Sequence, residues 1–188
     1  MLNNKVQELI QQGLPVKLHL GCCNRYFDGY VNIDGEYMKD DPNVIIHDIT
    51  TVFPIPDNSV DEILTVHVIE HIDRWAIEDT LTEWHRILRP GGQLSTEWPD
   101  LLKACLQIAK DPSSLLETQS RENKRVTKHT MHVIYGNPRF KHKAMTHAWG
   151  YSIDSLIELM KKIGFSSVTA EENLYRKTPN DSRVVAVK

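Results

Sequence analysis

Residues 17–34 read KLHLGCCNRYFDGYVNID. Leu18 and Leu20 alternate ahead of Gly21, the pattern of a strand entering a tight loop. The stretch ends on a second short apolar run, 30–34, closed by the carboxylate of Asp34. Only residues 22–29 separate the two runs, whereas a crossover that contains a helix takes at least about 10–12 residues. Eight residues can still reach about 26 Å when extended, enough to run back along a strand of about 17 Å. The stretch therefore predicts two strands joined by a loop, with no helix over that part of the sheet. Either an N-terminal helix or a second subunit is expected to cover the exposed face, so a homodimer is one of the expectations.

Outward from this stretch, periodicity organises the rest of the chain. Leu2, Val6, Leu9 and Ile10 have helical spacing over residues 3–12, and Gly13 and Pro15 close that helix. Strands are expected at 16–21, 30–34, 43–47 and 60–67, the second and third apolar-rich as in sheets covered on both faces. A helix over 73–88 sets Ile77, Leu81, Trp84 and Leu88 on one face, with Trp75 and Trp84 assigned to the core. Arg89-Pro90-Gly91-Gly92 stops it, since proline cannot continue a helix and glycine tolerates the turn. A strand at 93–97, a helix at 100–110 and a further helix near 113–124 follow. An irregular segment then leads to a helix at 152–163 with Ile153, Leu156, Ile157 and Met160 inward. Strands at 166–171 and 183–187 close the chain, antiparallel across Asn180-Asp181. Alternating strands and helices give an α/β class with a largely parallel sheet in one domain, 1–188, with an N-terminal helix within 1–14.

Bulk properties narrow the class. Net charge is −3, so nothing global points to nucleic acid or a membrane surface. No apolar run approaches the roughly 18 residues that span a bilayer. Three cysteines, two of them adjacent, make no disulfide framework. The N-terminal residues lack a cleavable signal pattern, and the expectation is a cytoplasmic protein. Charge is uneven, however. Residues 121–147 hold seven Lys/Arg against Glu122, a net +6, while the remainder carries −9. Four of the nine histidines, His129, His132, His142 and His147, fall there too.

In open α/β sheets ligands sit beyond the carboxyl ends of the strands, and the informative residues fall there: 21–25, Asp34, Asp48, His67 and 97–100. Asp34 ends a strand, where a carboxylate can accept both hydroxyls of a ribose. Asp48 is placed to accept from an adenine amino group. The strings HDITTVFPIPDNSVDEILTVHVIEHI (47–72) and LTEWHRILRPGGQL (81–94) complete the set. Taken together, the motifs at 18–23, Asp34, Asp48 with 53–61, 68–71 and 86–92 resemble the class I S-adenosylmethionine-dependent methyltransferases. The closing YSIDSLIELMKKIGF (151–165) is similar to that family's last helix and turn. The resemblance covers about residues 16–171. A compact subgroup with a shortened first crossover looks closer still, matched by Tyr135-Gly136 and 147–151.

The resemblance implies a Rossmann-like fold with seven strands in the order 3-2-1-4-5-7-6, the last strand antiparallel, and reduced helices between the first three strands. It also implies that Gly21, Cys22, Cys23, Asn24 and Arg25 hold the methionine part of S-adenosylmethionine. Asp34 with Gly35 would hold the ribose, Asp48 with Ile49 the adenine, and His67 would lie under the methionine. Two features depart from the pattern: Cys23 stands where glycine is usual, and no helix follows the loop. Backbone amides survive such substitutions, so an anion-binding nest can persist. The helix dipole that would attract the methionine carboxylate is missing, and Arg25 is the expected substitute. Each residue also has a plainer reading. Cys22 and Cys23 fit as small buried loop residues, Asp34 and Asp48 as turn caps, and Glu70 and His71 as caps of the following helix.

Methyl transfer from a sulfonium is an in-line displacement, and a hydroxyl or amine acceptor must also lose a proton. Histidine suits that task near neutral pH. His147 is the first candidate, followed by His132 and Asp100. The basic segment, 121–150, reads either as a solvated loop or as a lid for an anionic acceptor. No complete zinc spacing is present, so no metal ligands are assigned. Three functions compete: a methyltransferase acting on a small, sugar-like or anionic acceptor; a non-catalytic binder of S-adenosylmethionine or S-adenosylhomocysteine; and a nicotinamide enzyme. The last is disfavoured by the absent G-x-G-x-x-G loop and the short spacing from Gly21 to Asp34.

Overall fold

A computed structural model describes residues 1–35, 38, 40–115, 130–137, 141–176 and 178–188. Its strands are β1 (Lys17–Leu20), β2 (Val31–Asp34), β3 (Ile45–Ile46), β4 (Val60–Val66), β5 (Leu88–Pro99), β6 (Ser167–Glu171) and β7 (Asp181–Val187). They form one sheet in the order β3-β2-β1-β4-β5-β7-β6. The first five pair in parallel, and β7 runs antiparallel to both β5 and β6. This is the predicted order and hand of pairing. The helices are α1 (Leu2–Gln11), α2 (Ile77–Ile87), α3 (Leu101–Lys110), α4 (Thr130–Tyr135) and α5 (Ile153–Ile163). Among the described residues, no helix is long and apolar enough to cross a membrane.

The central strands are buried along most of their length, with Leu18 and Leu20 on one face of β1 and buried His19 on the other. Leu18, Leu20, Ile33, Ile63 and Leu94 are fully buried and share a core with Ile77, Leu81 and Trp84 of α2 and Leu156 and Met160 of α5. Fully burying each such side chain is worth about 1.5–3 kcal/mol, so the two helices are held by their apolar stripes. As the short crossover predicts, no helix lies between β1 and β2. Leu2 and Val6 of α1 enter the same core.

Several boundaries move, each for a local reason. The helix expected from residue 73 starts only at Ile77, and Trp75, in the turn before it, is 81% exposed rather than part of the core. The third strand shrinks to two residues. Arg89-Pro90-Gly91-Gly92 does more than stop α2: Leu88 already pairs with Val60, the ladder slips, and pairing resumes at Gln93↔Glu62. Gly91 takes φ +78 there, and a Cβ on Gly92 would lie 2.9 Å from the Arg89 carbonyl oxygen. The motif is thus an irregularity inside β5, whose glycines let the backbone fold close to β4. Near 113–124 the described part is a 3-10 turn, Pro112–Leu115; the rest of that expected helix lies outside the described residues. So do residues 121–129, with His129, and 138–140 of the basic segment.

Candidate active site

The loop after β1 is built inward. Gly21 takes φ +67, and a Cβ there would lie 2.5 Å from Val68 Cγ2, so both conformation and space demand glycine. Cys23 also adopts a left-handed φ of 48. The amides of Gly21 and Cys22 donate to the Ile33 carbonyl, that of Cys23 to Asp34 Oδ2 at 2.5 Å, and that of Arg25 to the Cys22 carbonyl. The anion nest expected of these amides is therefore spent within the protein. The Cys22 thiol is buried, and desolvation pushes it up to about 12, which makes it an inert packing group.

Asp34 is buried at the end of β2, its Oδ1 accepting from Gly35 N at 2.7 Å while Oδ2 holds Cys23. Asp48 is exposed after β3. Its Oδ1 accepts from Thr50 N and Thr50 Oγ1, so the turn-cap reading is realised there. Ile49 packs on the core and offers its carbonyl to Trp84 Nε1 at 3.0 Å. Arg25 is exposed; its guanidinium donates to the Tyr175 carbonyl at 3.3 Å and lies over the Phe27 ring. Asn24 is exposed beside it.

A second group gathers where β4 ends. His67 takes the left-handed φ of 61, an uncommon conformation for a non-glycine residue and a mark of a site held in place by its surroundings. Its Nε2 is 3.3 Å from Asp181 Oδ2, and its Nδ1 is 3.4 Å from Glu70 Oε1. Glu70 and His71 lie on the 3-10 turn Ile69–His71, separate from α2, so they do not cap that helix. The Nε2 atoms of His71 and His147 are 3.9 and 4.0 Å from the same Glu70 Oε1. Glu70 and Asp181 are both buried. Burial also holds the His71 pKa below its usual value, partly opposed by its bond to the Thr146 carbonyl.

The chain returns His147 to this point by a dense set of backbone bonds. Ala148 N and Trp149 N both donate to the Glu70 carbonyl, at 2.7 and 3.2 Å, and His147 N donates to the Tyr135 carbonyl. His147 Nδ1 meets the Val133 carbonyl at 2.9 Å. Gly136, at φ +88, makes room: a Cβ there would lie 2.3 Å from the Met145 carbonyl oxygen.

Of the three candidate proton acceptors, the cluster contains His147. His132 lies on α4, half-buried. Asp100 is the N-cap of α3; its Oδ1 accepts from Leu102 N and Lys103 N, and its Oδ2 from Ser182 Oγ at 2.7 Å. Its carboxylate is committed to holding the start of α3 against β7, a structural role rather than a basic one.

Sequence reasoning missed Glu70, Asp181 and Glu97 as a set. Glu97 is fully buried at the end of β5 and accepts from the amides of Leu174, Tyr175 and Arg176. That carboxylate fixes the 172–176 loop, which in turn receives Arg25 at the Tyr175 carbonyl and packs Tyr175 on Phe27, ring centroids 4.9 Å apart. Asp181 read as a turn residue because its partner His67 lies far back along the chain.

Residues 20–96 match a family model described as a methyltransferase domain. No curated protein matches the chain. Among solved structures, a SAM dependent methyltransferase from Archaeoglobus fulgidus superposes with a TM-score of 0.58 at 14% identity, covering 100% of this chain and 93% of that one. A methyltransferase from Mesorhizobium loti gives 0.58 at 14% identity over 96% of each chain. A possible histamine N-methyltransferase from Thermotoga maritima gives 0.57 at 16% identity over 97% and 87%. At these identities the superpositions speak for the fold, and the domain match covers the strands and loops that carry the motifs. The chain therefore has the fold of S-adenosylmethionine-dependent methyltransferases, and its residues 20–96 are similar to a methyltransferase domain.

Proposed function

We propose that this enzyme methylates a hydroxyl or amine of a small acceptor, and that the acceptor's proton leaves to the imidazole–carboxylate group around Glu70. The observation that carries this reading is the packing of three imidazoles against one buried carboxylate at the end of β4. When bound, S-adenosylmethionine supplies an electrophilic methyl group on its sulfonium sulfur. The residues present fit it: a buried carboxylate, Asp34, ends β2, beside the tight glycine turn at Gly21. Asp34 with Gly35 would hold the ribose, and Asp48 with Ile49 the adenine. Residues 21–24 would face the methionine part, with His67 beneath it.

Because the loop's own amides are spent internally, the methionine carboxylate falls to the Arg25 guanidinium. Affinity for S-adenosylmethionine is expected to fall about tenfold or more in Arg25→Ala and Arg25→Met. Unchanged affinity in both removes Arg25 from the site.

One nitrogen base, His147, serves the acceptor. His147 is tethered through Nδ1 to the Val133 carbonyl, which leaves Nε2 as its basic atom. His67 is braced by Asp181. A base oriented by a third group is the arrangement that proton transfer needs, worth typically 10²–10⁴-fold in rate. The acceptor side also carries exposed Lys141 and Lys143 on the segment leading to His147. Arg74 stacks over the exposed Trp149. These features support a sugar-like or anionic acceptor: cations meet its charge, and an aromatic face meets its ring.

The experiment is S-adenosylhomocysteine formation across a panel of hydroxyl and amine acceptors. Turnover is expected with at least one sugar-like or anionic member. It should fall about 10²-fold or more in His147→Gln, with S-adenosylmethionine affinity retained. Binding without turnover on any acceptor would favour the non-catalytic alternative. Full turnover in His147→Gln would remove the base assignment.

A further inference from the structure

We propose that Glu70, His71 and His147 form a binding site for one divalent transition-metal ion of zinc-like ligand preference. Their donor atoms, one from each side chain, lie within 4.8 Å of one another. The tautomers follow from the outer contacts. A carbonyl oxygen only accepts, so His71 Nδ1 donates to the Thr146 carbonyl at 3.1 Å and His147 Nδ1 donates to the Val133 carbonyl at 2.9 Å. In each neutral ring the remaining lone pair is then on Nε2, and both Nε2 atoms face Glu70 Oε1 at 3.9 and 4.0 Å. Two imidazole lone pairs and a carboxylate oxygen thus converge, an arrangement that calls for a cation between them. An Nδ1–H held by a backbone carbonyl is also the outer support that orients histidines on metals and raises their basicity.

The geometry is close to what an ion needs. Donors at about 2.0–2.1 Å from a tetrahedral ion are about 3.3 Å apart, so a pair as far apart as 4.8 Å must close by about 1.5 Å, shared between two side chains. Two histidines and one carboxylate are the ligand types that suit zinc and its neighbours, with a fourth position left for water or an acceptor oxygen. Spacing along the chain conceals the set, because His147 arrives from a distant segment stitched to Glu70 through Ala148 and Trp149. An ion here would fasten that segment to the turn after β4. It would occupy the His147 lone pair, so His147 acts as a base only with the ion site empty. The ion site itself does not rest on the methyl-transfer reading, since it is tested with no cofactor or acceptor present.

The test uses the full chain, stripped with a chelator and titrated with Zn²⁺ against a chromophoric competitor, then loaded with Co²⁺ for absorption spectroscopy. We expect one ion per chain and a visible cobalt d–d band without a thiolate charge-transfer band. Affinity should fall on the order of 100-fold or more in His71→Gln, His147→Gln and Glu70→Gln, and hold in the control His85→Gln. Circular dichroism and melting of each stripped variant confirm that it folds, and binding is compared only among folded ones. At least His71→Gln, whose side chain is more exposed than that of His147, is expected to pass. No binding by the folded wild type, a thiolate band that assigns the ion to Cys22 or Cys23, or binding undiminished in the folded variants overturns the proposal.

Discussion

Gly21 shows how much one position decides. Its left-handed φ and the 2.5 Å approach of Val68 Cγ2 are separate demands. The conformational one costs an L-residue about 1–2 kcal/mol. Gly21→Ala is expected to weaken cofactor binding and lower the melting temperature. Adding Val68→Ala should restore the steric part and leave the conformational part, measured as incomplete recovery by calorimetry and thermal melts.

His19 gives a second residue-scale prediction. It is buried in β1 against Phe27, and desolvation lowers its pKa to about 4 from the model-peptide value of 6.5. The unfolded chain therefore binds a proton between those values that the folded chain refuses, so stability falls as pH drops from about 6.5 to about 4 and levels off below. The full effect is at most roughly 3 kcal/mol. His19→Gln should flatten urea midpoints plotted over that window. A slope equal to the wild type's would assign the pH dependence to other groups.

At the scale of elements, Glu97 joins three parts of the fold. It ends β5, holds the 172–176 loop through three consecutive amides, and sits 4.0 Å from Arg183 of β7. Hydrogen bonds to a buried charge contribute about 1.5–3 kcal/mol each. Glu97→Gln keeps the shape and loses the charge and one acceptor. Hydrogen exchange at Leu174–Arg176 is expected to quicken at least tenfold, with a smaller change in α2. Equal exchange in both proteins would mean that another contact holds the loop.

The legibility of the sequence divides along these same elements. α2 and α5 were readable because their apolar stripes repeat every three or four residues and bury where expected. β5 was read as too short because Arg89–Pro90–Gly91–Gly92 looks like an end, while the structure passes the strand through it by an irregular pairing with β4. Asp34 and His67 could be placed by their positions at strand ends. The convergence of Glu70, His71 and His147 could not, because the bonds of Ala148 and Trp149 to the Glu70 carbonyl, the α4 contacts and the Gly136 turn bring His147 back from a distant segment.

For the whole molecule, the compact crossover has one consequence. With no helix after the Gly21 loop and its amides bonded internally, the proposed cofactor binding relies on side chains, Asp34 and Arg25 foremost, where longer relatives of the architecture can rely on a helix N-terminus. The measurement that tests this account most directly is a calorimetric titration of the wild type and Asp34→Ala with S-adenosylmethionine, S-adenosylhomocysteine and NAD. The account predicts one site per chain for the first two, none for NAD, and at least a tenfold loss in Asp34→Ala with its melting transition retained. Absence of S-adenosylmethionine binding, or undiminished binding in Asp34→Ala, would contradict it.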